Sequence, residues 1–126
     1  MGLVLDTGAL IAFDRGDRAV AALIEATRRR RDQVVTSSGC VAQAWRQGGP
    51  RQALLARLLA GLVEHGLDER VSRTIGELCG RAASNDVVDA HVALLAEPGD
   101  VVLTSDAADL RHLLAVRGSP ARLRAC

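Results

Sequence analysis

The sequence predicts an α/β fold of three layers, α/β/α, with a short central parallel sheet between two sets of helices. Two apolar runs, Leu3-Val4-Leu5 and Val101-Val102-Leu103, have the length of buried strands, and each leads straight into a helical pattern. Strand-like and helix-like segments alternate along the chain, which is the pattern of a parallel sheet covered on both faces. Hydrophobic residues make up 48% of 126 positions, enough to bury roughly two thirds of the unfolded surface in one domain spanning 1–126.

Each element has a local reason. Residues 2–6 read as the first strand and 7–13 as a short helix, broken at Asp14-Arg15-Gly16-Asp17. Residues 18–31 carry Val20, Leu23, Ile24 and Thr27 at helical spacing. A strand over 33–36 follows. Ser37 or Ser38 can cap a helix running to about residue 47, stopped by Gly48-Gly49-Pro50. Residues 51–63 present Leu54, Leu55, Leu58, Leu59 and Leu62, a stripe suited to core packing or to an interaction face. A short strand over 63–67 precedes a helix capped by Asp68 and running to about residue 83. Ser84-Asn85-Asp86 opens a helix that contains Asp89 and runs to about residue 97. Pro98-Gly99-Asp100 turns into the strand 101–104, residues 107–116 form a last helix, and an edge strand is expected near Arg122-Leu123.

Composition excludes several classes. The net charge is +1, so binding of a polyanion needs a local patch rather than a generally basic surface. All basic residues are arginine. Cys40, Cys79 and Cys126 are odd in number and far apart, against a disulfide framework or a zinc site and in favour of a reducing, cytoplasmic compartment. No basic segment followed by a long apolar stretch marks a signal peptide, and no run has the length to span a membrane. Aromatics are 2%, so the core is built from Leu, Val, Ala and Ile.

The chemistry lies in the acids. Asp6 ends the first strand and Asp106 follows the strand 101–104. In a parallel sheet both fall on the edge where α/β proteins bind ligands. Helix capping and ligation are both open to them. Asp89 sits among Val87, Val88, Ala90 and Val92, where a carboxylate needs a partner. Asp86, three residues before it, is the better cap. Asp109 lies three residues beyond Asp106 on the same side of the helix, as a ligand, a supporting group or a solvated charge. Gathered carboxylates repel one another unless a cation pairs with them, and magnesium or manganese prefers oxygen ligands.

Three segments resemble a PIN domain, in particular a VapC-type toxin of a bacterial toxin–antitoxin system. Val4-Leu5-Asp6-Thr7-Gly8-Ala9-Leu10-Ile11-Ala12 is similar to the opening motif, Val88-Asp89-Ala90-His91-Val92-Ala93-Leu94-Leu95-Ala96 to the motif around the third acid, and Val101-Val102-Leu103-Thr104-Ser105-Asp106-Ala107-Ala108-Asp109-Leu110 to the closing motif. The resemblance covers essentially the whole chain. It implies a PIN-like fold and a metal-dependent endoribonuclease that cleaves RNA to inhibit translation and growth. It also implies Mg2+ or Mn2+ as cofactor, a cognate antitoxin and a homodimer. Asp6, Asp89 and Asp106, with Asp109 as a possible addition, would hold the metal, and Asp86, Thr104 and Ser105 would support it, the last two by positioning a water or an outer ligand. An antitoxin could inhibit by placing a basic side chain among the acids.

The departure from the family is Gln43, which stands in Cys40-Val41-Ala42-Gln43-Ala44-Trp45-Arg46 where a glutamate is expected. It offers an oxygen but no charge. This keeps open a catalytically weak or inactive module that binds RNA or antitoxin. Arg46 could clamp a phosphate or pair with a site carboxylate, whereas Trp45 reads as core. The run Arg28-Arg29-Arg30-Arg31 reads first as a solvated helix end. His65, His91 and His112 lack metal-ligand spacing and read as packing or solvated groups. A phosphotransfer receiver would also gather acids at strand ends, but it needs a lysine, and this chain has none.

Overall fold

A computed structural model describes residues 1–126. Its elements, in chain order, are β1 (Leu3–Leu5), α1 (Thr7–Asp14), α2 (Arg18–Arg29), β2 (Val34–Ser37), α3 (Ser38–Ala44), a 3-10 turn (Gly49–Gln52), α4 (Ala53–Gly61), β3 (Val63–His65), α5 (Glu69–Ala82), α6 (Val87–Leu95), β4 (Val101–Thr104), α7 (Ala107–Arg117) and β5 (Arg122–Ala125). All five strands are parallel, in the order β3-β2-β1-β4-β5. The helices α1 to α4 pack together on one face and α5 to α7 on the other. This is the three-layer α/β/α fold expected from the alternation of strands and helices.

The core follows from the apolar runs. Leu3, Val4 and Leu5 of β1 and Val102 and Leu103 of β4 are at most 2% exposed, because both strands are central and covered on both faces. Leu10, Ile24, Leu55, Leu58, Ile75, Leu78, Leu110 and Leu113 close over them from the helices. Each such side chain contributes roughly 1.5–3 kcal/mol by leaving water. In the leucine stripe, Leu55 and Leu58 are core and Leu54 faces solvent, so the stripe serves mainly for packing.

Aspartate starts most of the helices. Asp6 accepts from the Ala9 N–H at 2.8 Å, Asp17 from Val20 at 3.0 Å, Asp68 from Val71 at 2.8 Å and Asp86 from Asp89 at 2.9 Å. Such a cap stabilises its helix by about 1 kcal/mol.

Three boundaries differ from expectation. The helix expected to reach residue 47 ends at Ala44. Gln52 causes this: its Oε1 accepts from the Arg46 and Gly48 N–H groups, and its Nε2 donates to the Ala44 carbonyl, so one side chain replaces the missing helical bonds. Trp45, expected in the core, is carried out at that turn and is 37% exposed. The segment 51–63 begins as a 3-10 turn because Pro50 lies in its first turn, and the α-helix starts only at Ala53. The strand expected over 63–67 is limited to Val63–His65, an exposed edge.

Candidate metal centre

The pairing of β1 with β4 aligns Leu3 with Val101, Val4 with Val102 and Leu5 with Leu103. The two junctions that follow, at Asp6 and at Thr104-Ser105-Asp106, therefore stand side by side, roughly one strand spacing of 4.8 Å apart. α6 and α7 pack against each other, and Asp89 in the first turn of α6 lies beside Asp106, where α7 begins.

Asp89, Asp106 and Asp109 each offer a carboxylate oxygen, and these oxygens lie within 4.8 Å of one another. A six-coordinate magnesium ion with oxygen ligands at 2.0–2.1 Å requires neighbouring ligand oxygens roughly 3 Å apart and opposite ones about 4.2 Å apart. The cluster needs only a small contraction to meet that requirement. Its donors are all hard oxygens, which suit magnesium or manganese and not zinc or copper. The first turns of α6 and α7 supply Asp89 and Asp109, where the positive ends of the helix dipoles offset part of the repulsion.

The strain of gathering these acids is visible in their acidity. Burial, then the charges of Asp86, Asp106 and Asp6, push the Asp89 carboxyl up to about 7. Asp106 is also raised, by desolvation and then by a hydrogen bond and like charge from Asp109. Without a cation Asp89 is partly protonated at neutral pH.

Asp6, expected as a ligand with Asp89 and Asp106, is buried at the same edge. It is 3% exposed, and both of its oxygens have protein donors. Oδ1 accepts from Ala9, while Oδ2 accepts from the Thr104 hydroxyl at 2.5 Å and the Ser105 N–H at 3.2 Å. Asp6 is close enough for its charge to raise Asp89, but its oxygens lie outside the three-acid group. Of the two junction acids, Asp6 is the one that caps; Asp106 stands at the start of α7 without a side-chain cap bond, so its carboxylate is left to face Asp89 and Asp109.

Thr104, expected to position a water, is fully buried and occupied by protein partners. Its hydroxyl donates to Asp6 Oδ2 and accepts from the Asp106 N–H at 2.8 Å. Thr104 thus ties the buried acid to the backbone of the exposed one. Thr104→Val keeps the shape and removes this link, leaving a buried carboxylate oxygen short of a donor. Denaturant melts should show a loss of about 1–3 kcal/mol.

Gln43 lies across from the acids at an open, shallow depression of about 530 Å³ that it shares with Asn85, Asp86, Val87 and Val88. Its Oε1 accepts from the Thr7 hydroxyl at 2.5 Å. Asp86 caps α6, as its spacing indicated. Arg46, expected on a phosphate or a site carboxylate, folds back onto its own helix end: its guanidinium donates to the Ala42 and Trp45 carbonyls, and it forms no ion pair. Two histidines pack, His91 being buried with Nδ1 2.6 Å from the Ser37 hydroxyl and His112 contacting the Ala82 carbonyl, while His65 is exposed on β3. Ser37 is fully buried, so this pair has no access to a substrate.

Sequence reasoning missed Gly8. A Cβ there would lie 1.9 Å from Ser105 Oγ, 2.4 Å from Ser105 Cβ and 3.4 Å from Asp6 Oδ1. The first turn of α1 and the β4–α7 junction are in contact through this gap. The signal in the sequence was a glycine in a first helical turn, two residues after an acid, where alanine would favour the helix.

Neither a family model nor a curated protein matches the sequence. Among solved structures, the chain is similar to one in the crystal structure of VapBC2 from Rickettsia felis bound to a DNA fragment from their promoter, with a TM-score of 0.65 and 16% identity over 100% of this chain and 99% of that one. No helix is long and apolar enough to cross a membrane. At 16% identity the likeness is one of fold, and the chain shares its three-layer α/β/α fold with that chain.

Proposed function

We propose that the chain is a metal-dependent endoribonuclease and the toxin of a toxin–antitoxin pair. The observation that carries this reading is the group of three carboxylate oxygens within 4.8 Å at the carboxyl edge of the sheet, in a chain that shares its fold with a VapBC2 chain. Asp89, Asp106 and Asp109 would hold Mg2+ or Mn2+. A divalent cation bound there would neutralise phosphodiester charge and lower the pKa of a water.

The remaining residues build the setting. Asp6 holds Ser105 and, through Thr104, the start of α7, and it adds negative charge beneath the ligands. Asp86 orders the first turn of α6, which fixes Asp89. The open depression beside Gln43 suits a polymer laid across the edge better than a small molecule, which favours an enclosed pocket. RNA is the substrate class that fits both the chemistry and the shape. The antitoxin, the homodimer and a cytoplasmic setting belong to the same reading.

The test is cleavage of total cellular RNA by the purified chain in magnesium or manganese, with a chelator lane and an Asp89→Ala lane. Discrete fragments that disappear in both control lanes support the nuclease. RNA left intact by a folded sample, metal present, refutes it.

Gln43 favours one second reading, a weakly active or inactive module that binds RNA or antitoxin. Gln43→Glu would keep the acceptor for the Thr7 hydroxyl and add a charge beside Asp86. If the missing charge limits activity, this variant should cleave at least roughly tenfold faster, in line with the 10–100-fold effects of groups around a metal's ligands. An unchanged rate counts against that module.

A further inference from the structure

A second concave surface lies along β5 and the starts of β1 and β4. It is a cavity of about 450 Å³ lined by Arg30 at the end of α2, Arg122 and Arg124 of β5, and Leu3, Val101 and Leu123 of the strands, among others. No acidic residue lines it. The nearby carboxylates have other partners: Asp32 pairs with Arg30 and the Met1 amine, Asp100 accepts from the Gly2 and Glu97 N–H groups, and Asp17, which shares a small cavity with Arg124, caps α2 through the Val20 N–H. Arg122 and Arg124 have no carboxylate partner at all. They are two apart on a strand, so they project to the same side, roughly 6.6 Å from each other. Thr27 and Leu23 of α2 complete an otherwise apolar wall.

We propose that this surface binds single-stranded RNA, with a backbone phosphate on Arg122 and Arg124 and a base against the apolar floor. The charge identifies the phosphate: a chain of net charge +1 concentrates unpaired guanidiniums here and leaves the carboxylates out. The floor identifies the base, since bases stack on guanidinium planes and on apolar surface without regard to sequence. A volume of this size accommodates one nucleotide unit. Arg122 pairs in register with Val101 and Arg124 with Leu103, the residue before Thr104, so this surface runs along β5 from the start of β4 toward the acidic edge. It would lead an RNA strand toward the acids and would give binding that needs no metal.

The inference rests on the ribonuclease reading only for the choice of RNA as probe. The experiment is fluorescence anisotropy of the full chain with a labelled single-stranded RNA of about a dozen nucleotides, in chelator, over a range of salt. The double variant Arg122→Gln with Arg124→Gln is expected to bind at least roughly tenfold more weakly at every RNA sequence tried, and its salt slope should fall by about 0.7 for the one phosphate no longer neutralised. Arg124→Glu, at a side chain with no bonded partner, provides a second variant if the double one misfolds. Equal binding by wild type and folded variants overturns the proposal. So does displacement of RNA by poly-glutamate as readily as by unlabelled RNA, which would mean a site for acidic protein. A mononucleotide that competes at millimolar concentration or below would support it and place the base in the pocket. RNA bound here but never cleaved in magnesium would refute the nuclease reading and leave this one standing.

Discussion

Asp89→Asn is expected to abolish metal-dependent cleavage and, in the absence of metal, to make the protein more stable. Groups that only orient a metal's ligands change affinity or activity by roughly 10–100-fold, so loss of a central ligand should cost at least roughly 100-fold. The stability effect has the opposite sign. The folded Asp89 carboxyl titrates at about 7, against 3.8 without the environment. The native state therefore binds more protons than the unfolded state between these values, and stability falls as pH rises through that window. Below it both states are protonated; above it the full penalty of a charged Asp89 is present. Asp106, also raised, adds to the same trend. Thermal melts in chelator should show the wild type losing stability from about pH 4 to pH 7 and then levelling, with Asp89→Asn flatter and higher-melting at pH 8. Added magnesium should raise the wild-type melting temperature more at pH 8 than at pH 5, because protons no longer compete for the oxygens, and should leave the variant little changed. A wild type whose stability rises over this pH window, together with an asparagine variant that melts lower at pH 8, would show that the acids are not held against their repulsion and would remove the basis for a metal centre.

The parts of this fold that could be read in advance are those governed by local rules. The apolar runs of β1 and β4 and the aspartates before α5 and α6 each fall where expected, because strand burial and capping depend on a few neighbouring residues. The early end of α3 was hidden, since it depends on Gln52, eight residues beyond Ala44, bonding back across a turn. The site was legible to the same degree. Asp6 and Asp106 could be brought to one edge from topology alone. Which oxygens meet could not, because Asp6 and Asp106 occupy equivalent junctions and differ only in their donors. Asp6 faces Ala9, Thr104 and Ser105 and is satisfied, whereas Asp106 makes no side-chain cap bond and faces Asp89 and Asp109. Arg46 looked promising by sequence position, and the end of its own helix took its guanidinium.

Gly8→Ala should damage the site as severely as loss of a ligand, although Gly8 itself has nothing to ligate with. Alanine is the better helix former by roughly 1 kcal/mol, so on helix propensity alone the change would stabilise α1. The neighbours decide otherwise. Rotation could move Ser105 Oγ out of the way of the new methyl group, but Ser105 Cβ, at 2.4 Å, can move only with its backbone. That backbone carries the N–H that binds Asp6 Oδ2, and it leads directly into Asp106. Overpacking of this kind costs about 1–3 kcal/mol, and here the displacement reaches the acidic group itself. The variant should melt lower than wild type, respond weakly to magnesium and cleave poorly. Combining it with Ser105→Gly removes both atoms in conflict and should restore much of the melting temperature and the magnesium response. Those two readouts separate a local clash from general damage. If the double variant is no better than Gly8→Ala alone, the close approach of α1 to the β4–α7 junction is not what positions Asp106.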